Sequence, residues 1–192
     1  QEEQLTAILQ ARAAGNQTSS PGRERYEKIA KTVLCVGPAA DSLHTQPNNL
    51  WLEIIPERDP CSLRVGDSLP VQALFQGRPL AGVHVAAGYP GITGHKYPVW
   101  VLTDSAGRAT LSLDRPGLWF ARVLHMIPAS DDPEADWRSA FSTLTFEVSP
   151  AQSAATDPQS ALRSLLQMQV DAWNRGDIEA FMGGYWKSGE TA

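Results

Sequence analysis

Residues 63–91 read LRVGDSLPVQALFQGRPLAGVHVAAGYPG and residues 101–125 read VLTDSAGRATLSLDRPGLWFARVLH, short apolar/polar alternations cut by Gly, Pro and Asp turns. Strands of about 5–8 residues with a turn signal every 8–12 residues indicate an antiparallel β-sandwich, because nothing between them has the length or period of a crossover helix. The expected strands are 69–75, 82–89, 99–103, 108–113, 118–126 and 141–148. Gln76-Gly77-Arg78 and Asp104 to Gly107 supply glycine where a turn needs positive φ, and Asp114-Arg-Pro-Gly117 sets proline at the second turn position. Val83, Val85, Ala87 and Tyr89 share one strand face, with His84 on the other. Segment 118–126 is apolar on nearly both faces, with Trp119, Ala121, Val123 and His125 on one and Leu118, Phe120, Leu124 and Met126 on the other. That marks a central strand.

Outward from this stretch the pattern changes. Leu5, Ile8 and Leu9 at helical spacing predict a helix over 2–14, stopped by Gly15-Asn16. Ser20-Pro21 followed by Tyr26, Ile29, Ala30 and Val33 at i, i+3, i+4 and i+7 predicts a second helix, with RERYEKIAK as its solvated face. The run Thr32 to Val36 then reads as a strand, as does Trp51 to Ile55, where Glu53 alternates with Leu52 and Ile54. Residues 127–140 read as a long acidic loop. From Ser149 the small, polar composition indicates a linker. Two helices follow, with stripes Leu162/Leu165/Leu166/Gln169/Trp173 and Ile178/Phe181/Met182/Tyr185/Trp186, the second weakened at Gly183-Gly184. The expected divisions are 1–32, a helical segment leading from a missing N-terminal domain; 33–148, the sandwich; 149–157, the linker; and 158–192, the C-terminal helices. The fold class is mainly β, an immunoglobulin-like or transthyretin-like antiparallel sandwich with N-terminal helices and a C-terminal helical pair.

The bulk properties exclude some partners. A formal charge of -5 and 42% apolar residues describe a chain able to bury a core but ill suited to a phosphate backbone, so nucleic acid is not expected. No apolar run reaches the roughly 20 residues that span a bilayer. The first residue is Gln, and the chain reads as a piece of a longer protein.

The candidate chemistry is sparse. The imidazoles are His44, His84, His95 and His125, with no pair at short ligand spacing; His84 and His125 could approach if their strands are neighbours, with His95 entering from the loop beside Tyr97. The competing reading makes His125 a rim residue under Trp119. Cys35 and Cys61 fit either one disulfide or two unrelated thiols, and lack the spacing of a zinc knuckle or redox motif. Asp131, Asp132, Glu134 and Asp136 lack the glycine and alternation of a calcium loop and read as solvated. No nucleophile elbow, poised cysteine or carboxylate pair stands out. The six tryptophans fit packing better than a carbohydrate platform.

Two resemblances rest on these residues. RERYEKIAK, LEIIPERDP, LRVGDSLPVQALFQGRPLAG, TDSAGRATLSLDRPGLW and ARVLHM, between Arg23 and Val148, resemble the C-terminal half of a bacterial domain-of-unknown-function family formerly labelled a nickel-uptake, NikM-type component. The resemblance implies a periplasmic or secreted protein with a transthyretin-like or immunoglobulin-like sandwich. It also implies a divalent transition metal as the candidate cofactor; only His125 in ARVLHM matches a recurring family position. Cys35 and Cys61 both depart from the aliphatic and aromatic residues that the family pattern implies, which favours a disulfide particular to this chain. DPQSALRSLLQMQVDAWNRGDIEAFMGGYW resembles the opening helices of a SnoaL-like, nuclear-transport-factor-2-type domain.

Three functions are then expected in order: an exported, non-enzymatic binding or scaffold module; a periplasmic metal-binding component using His125 with His84 or His95; and a small-ligand binder or enzyme with its pocket in the C-terminal domain. Self-association through the C-terminal helices is a further expectation, since their stripes want a covering surface.

Overall fold

The computed structural model describes residues 6–36, 42–93, 96–151 and 158–182. Leu5, His95, linker residues 152–157, Gly183-Gly184, Tyr185 and Trp186 lie outside the described residues. The chain divides into two compact units, residues 1–151 and 152–192.

The first unit opens with helix α1 (Thr6–Ala14) and continues as strands β1 (Glu24–Thr32), β2 (Leu52–Pro56), β3 (Ser68–Phe75), β4 (Arg78–Pro79), β5 (His84–Gly88), β6 (Val99–Leu102), β7 (Arg108–Ser112), β8 (Gly117–Pro128) and β9 (Trp137–Val148). The strands form two sheets, one in the order β1-β9-β8-β5-β6, the other with β2 on one edge of β3 and β7 and β4 on its opposite edge. This is the expected mainly-β sandwich. Its turns follow their residues: Gln76 and Gly77, both at positive φ, join the Phe75/Arg78 pair of β3 and β4. Gly107 also has positive φ, and a Cβ there would come within 2.6 Å of the Ala73 carbonyl oxygen, so only glycine fits where β7 passes β3.

The inward alternation of both sheets makes the core. Leu52, Ile54, Leu69, Val71, Val85, Ala87, Leu111, Trp119, Ala121, Leu144 and Phe146 are fully or almost fully buried in one cluster. β8 is the middle strand of the five, as its two apolar faces suggested.

The second helix expected over 21–33 is instead β1, running parallel to β9 in register Glu24↔Trp137 through Thr32↔Thr145. Its alternating residues Glu27, Ile29 and Lys31 are half-buried. Two of these three are charged, so the true period of 2 was masked by ions whose partners lie far away: Glu27 accepts from Arg138 at 2.5 Å and Lys31 donates to Glu53 at 2.7 Å. Ile29, Ala30 and Val33 fit both periods. Of the run Thr32 to Val36 only Thr32 is strand, as the last residue of β1, and the long loop 127–140 shrinks because β8 and β9 pair out to Pro128↔Trp137.

Cys35 and Cys61 are joined as a disulfide with Cα atoms 5.7 Å apart, tying the chain after β1 to the turn after β2. The closed loop spans 26 positions, so replacing both cysteines with serine is expected to lower stability by about 3 kcal/mol by releasing the unfolded chain. Urea midpoints of the oxidised and double-serine proteins measure it; equal midpoints refute it.

The second unit holds α2 (Pro158–Asn174) and α3 (Ile178–Met182). Trp173 and Phe181 pack with centroids 5.2 Å apart, and Gly176 at positive φ makes the turn between the helices. Leu162, Leu166, Trp173 and Ile178 remain more than half exposed.

Candidate functional site

Pleating sends every second residue of the five-stranded sheet away from the core, and that outer face carries apolar residues on four strands. β8 contributes Leu118, Phe120, Arg122 and Leu124; pairing sets Phe141 of β9 beside Leu124, and Ala86 of β5 between Arg122 and Trp100 of β6. His84 and Leu102 form the next pair along.

Three rings on this face stack as a group. Tyr97 and Trp100 lie 5.7 Å apart with planes 10° from parallel, and His84 stacks on Trp100 at 5.0 Å. Tyr97 meets Phe120 edge-on at 6.1 Å. Arg122 donates from Nη1 to the Tyr97 hydroxyl at 2.7 Å, and its guanidinium also lies over the Phe141 ring at 5.3 Å. Trp100 is nonetheless 39% exposed, and Leu102 and Leu118 are each 52% exposed. Trp100 stacks with both Tyr97 and His84, and the exposed part of this face is Trp100 with the two leucines, near the Arg122 guanidinium. Such a surface suits another protein better than a sugar, which needs an open aromatic face.

The histidines separate. His84 is on the outer face, whereas His125 follows Trp119, Ala121 and Val123 on the inner face and packs edge-on against Phe75 at 4.6 Å. Burial lowers the pKa of both imidazoles, favouring their neutral forms. Opposite faces of one sheet do not bring these two to a common ion, and His95 lies outside the described residues. Among the described residues no three His, Cys, Asp or Glu side chains group as a metal-binding set.

The acidic loop has a different use. Asp136 takes Arg23 Nη2 at 2.8 Å and Nε at 3.2 Å, and Asp132 takes Arg25 at 2.5 Å, so the loop between β8 and β9 clamps the start of β1. Hydrogen bonds from the Arg23 guanidinium and backbone N–H pull the Asp136 pKa from 3.8 down to about 2. A carboxylate depressed in the folded state stabilises it above the unfolded value, and that contribution disappears as pH falls through the folded one. Amide protection at Glu24 to Tyr26 is therefore expected to drop between pH 3.8 and about 2 while β8 stays protected. Coincident loss in both strands, after correction for intrinsic exchange, would count against the clamp.

No motif in the sequence marks Trp100 or Arg122 as part of a site, or Tyr97 as more than the neighbour of His95. The available signal was the alternation in 99–102, where Val99 and Val101 point inward and the larger Trp100 and Leu102 do not. Among the described residues no helix is long and apolar enough to cross a membrane.

A family model described as a domain of unknown function, DUF4198, matches residues 4–127, from the N-terminal segment to the end of β8. No curated protein and no solved structure matches the chain.

Proposed function

The chain belongs to the DUF4198 family, a domain of unknown function, and from that premise we propose that it is an exported, non-enzymatic binding module that meets a protein partner with the outer face of its five-stranded sheet. The observation that carries this is the half-open Tyr97–Trp100–His84 stack flanked by exposed Leu102 and Leu118. Apolar surface gathered on one face and left in water is the mark of a contact site. The Cys35–Cys61 disulfide supports the exported location, since such bonds persist in oxidising compartments. In the helical unit, the exposed stripe of Leu162, Leu166 and Trp173 supports the SnoaL-like reading, in which a sheet covers these helices.

Photo-crosslinking in the producing cell tests the contact face. A photoreactive residue at Trp100 or Leu118 is expected to yield a discrete protein adduct that the same residue at Ser112, exposed on β7, does not. Equal adducts at all three positions, or none at the first two, would reject this face.

A further inference from the structure

At one end of the sandwich lies a cleft of about 390 Å³, within the size range of small-ligand sites. Its walls include Trp51, Ile127, Pro128 and Pro133, with Arg25 and Arg138 among its polar groups. Arg138 lies over the Trp51 indole at 4.4 Å and gives its Nη2 to Glu27. The other polar atoms at this contact are less well served: Trp51 Nε1 and Arg138 Nε are both buried, and neither has a hydrogen-bond partner. Buried donors are almost always satisfied, so two orphans on side chains in mutual contact mark a place where an acceptor is wanted. Both orphans are N–H groups, so that acceptor is an oxygen or an equivalent lone pair.

Charge decides what kind of oxygen. The two guanidiniums, Arg25 and Arg138, are already met by Asp132, Glu134 and Glu27, and Asp131 adds a further carboxylate to the lining. Both cations therefore already have counter-charges, and another anion would find no uncompensated positive charge to meet. A neutral carbonyl needs none. We propose that this cleft binds a small carboxamide, its carbonyl oxygen accepting from Trp51 and Arg138 and its apolar body resting on Ile127, Pro128 and Pro133. Neither nitrogen reaches solvent, so occupancy requires the half-exposed Arg138 guanidinium to shift along the indole face.

The test uses the full oxidised chain labelled with ¹⁵N, benzamide as the probe and benzoate as its charged counterpart. Trp51→Phe identifies the Trp51 indole resonance by its disappearance. Benzamide is expected to move that resonance saturably, and Arg138→Gln to weaken binding about tenfold, the scale of one hydrogen bond from a charged donor. Glu27→Gln, which keeps the guanidinium but removes its ion pair, should retain binding and so separate loss of the donor from loss of the pair. Trp100→Ala, on the outer sheet face, should change nothing, which keeps this result independent of the protein-contact face. Benzoate binding as tightly as benzamide would overturn the proposal. A Trp51 resonance unmoved by either probe would overturn it too, assigning the missing acceptor to water alone.

Discussion

Replacing Trp119 with alanine is expected to cost about 3–5 kcal/mol, the range for emptying a large aromatic site in a packed core. Trp119 has no exposed surface and stands on β8, between β9 and β5. It pairs across the sheet with buried Phe146 and meets Tyr89 edge-on at 5.2 Å. Its indole also holds a turn: Nε1 donates at 3.0 Å to the Arg115 carbonyl, and the Arg115 guanidinium lies 4.1 Å from the Tyr89 ring centroid. Alanine therefore leaves a cavity, an unmatched carbonyl and a loosened turn together. Urea unfolding with an unchanged m-value reads the loss directly. A change under about 1 kcal/mol would mean that the surrounding side chains collapse into the space.

The second large effect sits where the two sheets' edge strands meet. Lys31 of β1 donates to Glu53 of β2 at 2.7 Å; the Glu53 side chain is 2% exposed and that of Lys31 14%. Glu53 accepts in addition from the Asn48 backbone N–H at 2.9 Å. Removing the ammonium alone leaves a buried carboxylate without its counter-charge, so Lys31→Ala should destabilise by about 3–5 kcal/mol. The pair as a whole is worth far less, since both ions were stripped of water to form it. Lys31→Met combined with Glu53→Leu should thus recover most of the loss, short of what the orphaned Asn48 N–H costs. If the single and double variants fall equally, packing rather than charge accounts for the Lys31 effect.

This ion pair also explains why the sandwich was legible in the sequence while its first strand was not. For β3, β5, β7 and β8 the inward residues are apolar and the turns between them carry their own chemistry, so local pattern and tertiary position agree. β1 turns the half-buried Glu27 and Lys31 toward Arg138 and Glu53, and a local pattern cannot anticipate partners so distant. The outer face was concealed for the opposite reason. Leu118, Phe120 and Leu124 signalled burial on both sides of β8, which is right for the strand's central place but wrong for the solvent it meets. Tyr97 and Trp100 become neighbours of Phe120 and Arg122 only once β6 pairs with β5 and β5 with β8.

The parallel pairing of β1 with β9 fixes an order of events during synthesis. The contact from Arg23 to Asp136 spans 113 positions, so β1 leaves the ribosome well before β9 and must wait for nearly the whole sandwich before it has an edge to join. At about 5–20 residues per second, that wait lasts roughly 6–23 seconds. An apolar strand left unpaired so long would invite aggregation. Glu24, Arg25, Glu27, Lys28 and Lys31 keep this one hydrated, as gatekeeper charges do. The residues that disguise β1 as a solvated helix are the ones that let it arrive last.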